Sequence, residues 1–280
     1  NWDHSDAMGA RDAGWIQIYS EDNQEAYDNM VQAFRISEHA DVKLPVMICQ
    51  DGFITSHAVQ NIELLEDDKV KAFAGSYEPE NYLLNAENPM AVGPYAITNY
   101  YMESHRQQAQ AMANAKQVIL EIGKEFGKMS GREYGFFEEY RMDGAEYAIV
   151  VMGSAAGAAK DAVDNLRAQG KKVGMIKVRV FRPFPAEELA AALKNVKALA
   201  IMDRAESFSG NGGPLASELK AAMFDADIHT KAYSLMYGLG GRDITVEMME
   251  EIFTSIETGD TKPGTMEHEG IPYYYTGVRG

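Results

Sequence analysis

The sequence predicts an α/β protein, on three observations. Short apolar runs that read as buried strands alternate along the chain with helical segments. Glycine, proline and polar residues punctuate the joins between them. The second half repeats a strand–helix unit three times, which implies an open, mostly parallel sheet with helices on both faces.

Taken in order, a polar loop opens the chain and ends near Gly14. Trp15 to Tyr19 alternates and is apolar enough for a strand. Asp22 or Asn23 then caps a helix through Ala26, Met30, Ala33, Phe34 and Ser37. Leu44 to Cys49 reads as a buried parallel strand, which completes a βαβ unit. The loop Asp51 to His57 follows it, at the place where α/β folds put ligands. Residues 61–97 hold prolines, glycines and acidic residues with little periodicity and read as a long surface excursion. Thr98 to Phe126 is a long helix of good helix formers. Lys128 to Gly144 reads as a linker. Beyond it come a strand from Tyr147 to Met152, turned by Gly153-Ser154, and a helix from Ala155 to Gln169 stopped by Gly170. The next strand is Val173 to Val178, the break Arg182-Pro183-Phe184-Pro185 leads into a short helix from Ala186 to Leu193, and a third strand spans Ala198 to Met202. A helix from Pro214 to Met223 and a Gly/Pro-bearing tail from Thr258 close the chain.

A chain of 280 residues has room for two domains at about 100–200 residues each. Its net charge of -16 argues against nucleic acid and against an anionic membrane surface as partners. The single cysteine, Cys49, excludes an internal disulfide, an iron–sulfur cluster or a four-cysteine zinc site held by this chain alone. No apolar run approaches the roughly 20 residues that span a bilayer. The sequence starts at Asn1 with no visible signal peptide, so the chain is expected to be processed or to lack its beginning.

Four features invite a chemical reading. Gly153-Ser154-Ala155-Ala156-Gly157 follows a strand and opens a helix, a place where phosphate can bind, but it lacks the spacing of a dinucleotide or P-loop motif and reads as a tight turn. Gly210-Asn211-Gly212-Gly213-Pro214 reads likewise as a turn, with an anion nest as the alternative. The histidines, His4, His39, His57, His105, His229 and His268, show no i, i+4 pair, so no metal is expected on this chain. Cys49 sits in an apolar strand and reads as a structural thiol. Arg11 is the most informative residue. It is a solvated surface residue, a partner of Asp6 or Asp12, or a fork that grips a carboxylate in two parallel hydrogen bonds.

Two stretches, His4-Ser5-Asp6-Ala7-Met8-Gly9-Ala10-Arg11-Asp12-Ala13-Gly14-Trp15-Ile16-Gln17 and Leu44 to His57, carry a resemblance. So do Lys177 to Pro185, Met202-Asp203-Arg204-Ala205, Gly212 to Leu215, and Tyr237 to Thr245. In this order, over nearly the whole chain, they resemble the alpha subunit of 2-oxoacid:ferredoxin oxidoreductases, nearest the pyruvate type. The resemblance implies the C-terminal part of a thiamine-diphosphate-binding pyrimidine domain over 1–132, followed by a transketolase C-terminal-like α/β domain over 133–280. It implies oxidative decarboxylation of a 2-oxoacid with coenzyme A, electrons passing through 4Fe–4S clusters to ferredoxin. Thiamine diphosphate, with Mg2+, would sit mainly on a beta subunit, and coenzyme A and the clusters on gamma and delta subunits. The lone cysteine fits that division.

The same resemblance gives Arg11 the role of binding the 2-oxoacid, both as a substrate-binding and as a catalytic residue. A cation beside the carbonyl favours the developing oxyanion. Ser5, Asp6 and Asp12 are expected to shape the loop, and Thr55, Ser56 and His57 to shape a turn without an assigned role. The glutamate that protonates the thiamine aminopyrimidine, and a substrate threonine, are expected upstream of Asn1, within roughly a hundred further residues. An oxygen-sensitive cytoplasmic complex is implied. Other 2-oxoacids (oxalate, 2-oxoglutarate, aromatic or branched) are alternative substrates, with Trp15 as a possible floor for an aromatic one. A non-catalytic scaffold that docks through its acidic tail or residues 61–97 is the alternative of another class.

Overall fold

A computed structural model of the chain describes residues 2–208, 210–259 and 271–279. The first sheet is built by β1 (Ile16–Tyr19), β2 (Val46–Cys49) and β6 (Val180–Arg182), in the order β2-β1-β6. β1 and β2 run parallel, with Ile16 opposite Val46. The expected βαβ unit is therefore present, with α2 (Asn23–Glu38) as its crossover. Asp22 caps α2 by accepting from the Glu25 N–H at 2.8 Å. The Glu25 carboxylate reaches back to the Glu21 N–H at 2.7 Å.

The second sheet has six strands in the order β3-β5-β4-β7-β8-β9. They are β3 (Phe137–Tyr140), β4 (Tyr147–Val151), β5 (Val173–Val178), β7 (Ala198–Asp203), β8 (Lys231–Met236) and β9 (Tyr274–Tyr275). All neighbours are parallel except the edge strand β3. Alternate residues of the buried strands face opposite layers, as the period of two demands. Ile149, Val151, Met175 and Ala200 pack under α5 (Ala155–Ala168) and α8 (Val246–Thr258). Ala148, Val150, Ile176 and Leu199 pack under α6 (Ala186–Leu193) and α7 (Pro214–Asp225). This is the doubly wound sheet expected from the three β–α repeats.

Three departures from the sequence reading have physical causes. The stretch 128–144 is not a linker: α4 (Tyr101–Ser130) runs further than expected, and β3 adds to the sheet edge through β5. A strand paired on one side can carry Glu138 and Glu139, so its polarity hid it. β2 is half-buried rather than buried, because it pairs with β1 alone. Along α2 the predicted apolar residues Met30 and Phe34 are exposed, and Asp28, Asn29 and Gln32 are buried instead. The excursion over 61–97 holds one short helix, α3 (Asp67–Ala74), and is otherwise irregular and largely exposed. His268 and most of the tail lie outside the described residues.

Both sheets meet through the beginning of the chain. α1 (Ser5–Gly9) puts Ala7 and Met8 into the core under α6 and α7, together with Tyr19 from β1. The buried Gln17 side chain donates from Nε2 to the Ala7 carbonyl at 2.6 Å and ties α1 to β1. A second seam is charged. Lys177 of β5, 6% exposed, meets Glu25 and Glu21 at 2.5 and 2.7 Å and Glu138 at 3.0 Å.

Candidate active site

The start of the chain and the loops at the carboxyl ends of β2, β4 and β7 converge on one carboxylate, that of Asp51. His4 Nε2 donates to Asp51 Oδ1 at 2.7 Å. The Ser154 N–H and hydroxyl donate to Oδ2 at 2.7 and 2.6 Å, and Arg204 Nη1 reaches the same oxygen at 2.5 Å. All three partners come from different loops, so Asp51 is the knot between the two sheets. Gly153 must be glycine for this: its φ is 70°, and a Cβ there would lie 2.7 Å from Asp51 Oδ2.

Burial opposes the charge on Asp51, but the hydrogen bond and charge of His4, the charge of Arg204 and the Ser154 hydrogen bond overrule it and hold the carboxyl down at about 2. Arg204, 1% exposed, is sandwiched between the rings of Trp2 and Tyr237 at 5.0 and 4.8 Å. Its carbonyl accepts from the His4 N–H at 2.9 Å. Sequence reading quoted His4, Asp51, Ser154 and Arg204 within motifs without giving them roles. Asp51, Ser154 and Arg204 each stand just after a strand, and that shared position was the available signal, which His4, ahead of α1, lacks.

Both glycine-bearing loops are filled by carboxyl groups of the chain itself. The helix start after Gly153 holds Asp51. The helix start after Gly213 holds Asp203, whose oxygens accept from the Leu215 and Ala216 N–H groups at 2.9 and 3.0 Å. A Cβ on Gly213 would come 2.2 Å from Asp203 Cγ. Burial raises Asp203 to about 7, against the pull of those N–H groups and of the positive Lys220 and Arg11.

Arg11 follows α1, its N–H donating to the Met8 carbonyl at 3.2 Å. Its guanidinium is about a third exposed, and Nε stands 3.6 Å from exposed Asp12, an ion pair that contributes little. Asp6 is otherwise engaged, accepting from the Ala7 N–H. Beside this loop lies a cavity of about 440 Å3 lined by Asp3, His4, Asp6, Tyr19, Met47 and Cys49, among others. That volume is within the range of small-molecule sites. His4 Nδ1 is buried there without a hydrogen-bond partner. Cys49 is half-buried, and burial pushes its thiol up to about 12, which disfavours the thiolate.

The Asp51 to His57 loop folds on itself. Thr55 donates its hydroxyl to the Asp51 carbonyl at 2.6 Å, and the Phe53 N–H donates to Ser56 Oγ at 2.9 Å. His57 stacks on the Phe53 ring at 4.4 Å. These contacts shape a turn. Among the described residues no three His, Cys, Asp or Glu side chains gather into a metal site. Among the same residues no helix is long and apolar enough to cross a membrane.

Comparison with known proteins places this geometry. Residues 1–124 match the model for the thiamine-diphosphate-binding domain of pyruvate flavodoxin/ferredoxin oxidoreductases. Residues 145–249 match that for core domain II of pyruvate:ferredoxin oxidoreductase. Pyruvate synthase subunit PorA of Thermotoga maritima is 46% identical over 96% of this chain and 68% of its own length. The chain belongs to the pyruvate:ferredoxin oxidoreductase family.

Within this family, the alpha subunit of the NADH-dependent phenylglyoxylate dehydrogenase of Aromatoleum evansii is 40% identical over 91% of this chain and 63% of its own length. The chain spans about two thirds of the length of the curated relatives it matches. The 2-oxoglutarate:ferredoxin oxidoreductase from Magnetococcus marinus shares the fold, with a TM-score of 0.57 at 17% identity over 86% of this chain and 42% of its own.

Proposed function

We propose that this chain is the part of an alpha subunit that presents the acid-binding side of a thiamine-dependent enzyme oxidising pyruvate, with coenzyme A, to acetyl-CoA and CO2. The observation that carries this reading is Arg11, about a third exposed on a loop whose main chain is held by Arg182, shortly after the residues Asp3 to Ala7 that line the 440 Å3 cavity. Residues 1–132 act as the partial cofactor domain and 133–280 as its support. Beta, gamma and delta subunits complete the complex, ferredoxin takes the electrons, and the assembly works in the cytoplasm.

His4 lines the cavity, and its Nδ1 is buried without a hydrogen-bond partner, which fits a polar group of a ligand reaching it. Thiamine diphosphate supplies, when bound, the carbon nucleophile and the electron sink. His4 and Asp6 would line its site from this chain, with Met47 and Ile48 keeping water from one wall. Arg11 holds the 2-oxoacid carboxylate in a bidentate grip and so sets the angle of the carbonyl. Its charge favours the electron density that moves onto the carbonyl oxygen.

In the assembled complex, Arg11→Ala should lower kcat/KM for pyruvate about a hundredfold or more, from the ~3 kcal/mol that a charge-assisted pair contributes. Thiamine diphosphate should stay bound. Turnover close to that of the unaltered enzyme would remove Arg11 from the site. The phenylglyoxylate relative favours a second reading, an aromatic 2-oxoacid. Acceptor reduction with pyruvate and phenylglyoxylate side by side separates the two.

A further inference from the structure

Among the described residues no hydrogen bond aims the Arg11 side chain, and Asp12 stands beyond hydrogen-bond reach at 3.6 Å. Its direction must come from its main chain. That main chain is gripped by a residue of the second half. Arg182, at the end of β6, donates from Nε to the Arg11 carbonyl at 3.1 Å. The same guanidinium is fixed on its other sides. Nη2 meets Glu218 of α7 at 2.5 Å and Asp12 at 3.5 Å. Nη1 donates to the Phe181 carbonyl at 3.2 Å, and the plane lies 4.5 Å from the Phe181 ring centre. Arg182 is only 14% exposed, so this fork is held largely away from water.

The loop is fixed at its other end as well, where the His4 N–H donates to the Arg204 carbonyl. A segment held at both ends through its main chain fixes where the Arg11 side chain starts and so narrows the directions it can take. That narrowing lowers the ordering cost of binding a small acid. We infer that Arg182, locked by Glu218, is a positioning residue that aims Arg11 at the substrate carboxylate. This rests on the reading of Arg11 given above.

The test is a double-mutant cycle in the assembled, thiamine-loaded complex, read as the dissociation constant of oxamate, a non-reacting carboxylate of pyruvate's shape. Arg182→Gln should weaken oxamate about tenfold, or about 1.4 kcal/mol, while Arg11 is intact. In an Arg11→Ala background the same change should alter it less than about twofold, because both act through one contact. Glu218→Gln should weaken oxamate about threefold with Arg11 intact, and it carries the same cycle if Arg182→Gln does not assemble. Thiamine diphosphate affinity should hold throughout. Equal losses in both backgrounds would show a merely structural role, and no loss in either would also overturn the inference. If Arg11→Ala alone left oxamate binding unchanged, the reading of Arg11 would fail instead.

Discussion

Asp51 draws its low pKa from partners that exist only in the folded chain. A carboxyl depressed to about 2 stabilises the fold above its ordinary value near 4, and that contribution is lost as pH falls through 2. Asp51→Asn should therefore cost a few kcal/mol near neutrality, of the order of the ~3–5 kcal/mol for breaking a buried pair, and the cost should shrink in acid. Denaturant midpoints measured across pH 2 to 7 test this. Asp203 has the opposite sign. With its carboxyl raised to about 7, the folded state binds the proton more tightly, so its contribution falls as pH rises from about 4 to 7. Asp203→Asn should flatten that slope in the same titration. None of this was legible in advance. Asp51 and Asp203 lie away in sequence from the glycine loops they fill, and only the fold shows that each loop is filled by the chain's own carboxylate.

At the scale of elements, legibility followed burial. The central strands β4, β5 and β7 were plain because a strand covered on both faces is a continuous apolar run. The short helix α6 fell where the break at Pro183 and Pro185 placed it. β6 was missed because Arg179 alone separates it from β5, so one apolar stretch hides a change of sheet. β8 and α8 went unassigned because β8 starts exposed, without a continuous apolar run. The buried face of α2 was misread because its partners are ionic. Asp28 takes Arg132 at 2.7 Å, and Glu25 takes Lys177. Replacing Lys177 by Ala would take from the half-buried cluster the cation that Glu25 pairs with, leaving Lys160 to hold Glu21 and Glu138. A loss of about 3–5 kcal/mol in the unfolding free energy is expected, and a loss below 1 would show that water relaxes the cluster.

For the molecule as a whole, the two sheets and their joint make a single argument. The first sheet ends in the loops that line the cavity, and the second supplies Ser154 and Arg204 to hold those loops, while Arg182 of β6 in the first sheet grips the Arg11 main chain. Neither half presents Arg11 alone. The role of Arg11 was open in the residues themselves and gained its direction from the resemblance. The structure adds what holds it. The most direct measurement is the structure of the assembled complex with a 2-oxoacid bound. The account requires both terminal nitrogens of Arg11 within about 3 Å of the carboxylate oxygens. A carboxylate held by another residue, with Arg11 turned to solvent, would contradict it.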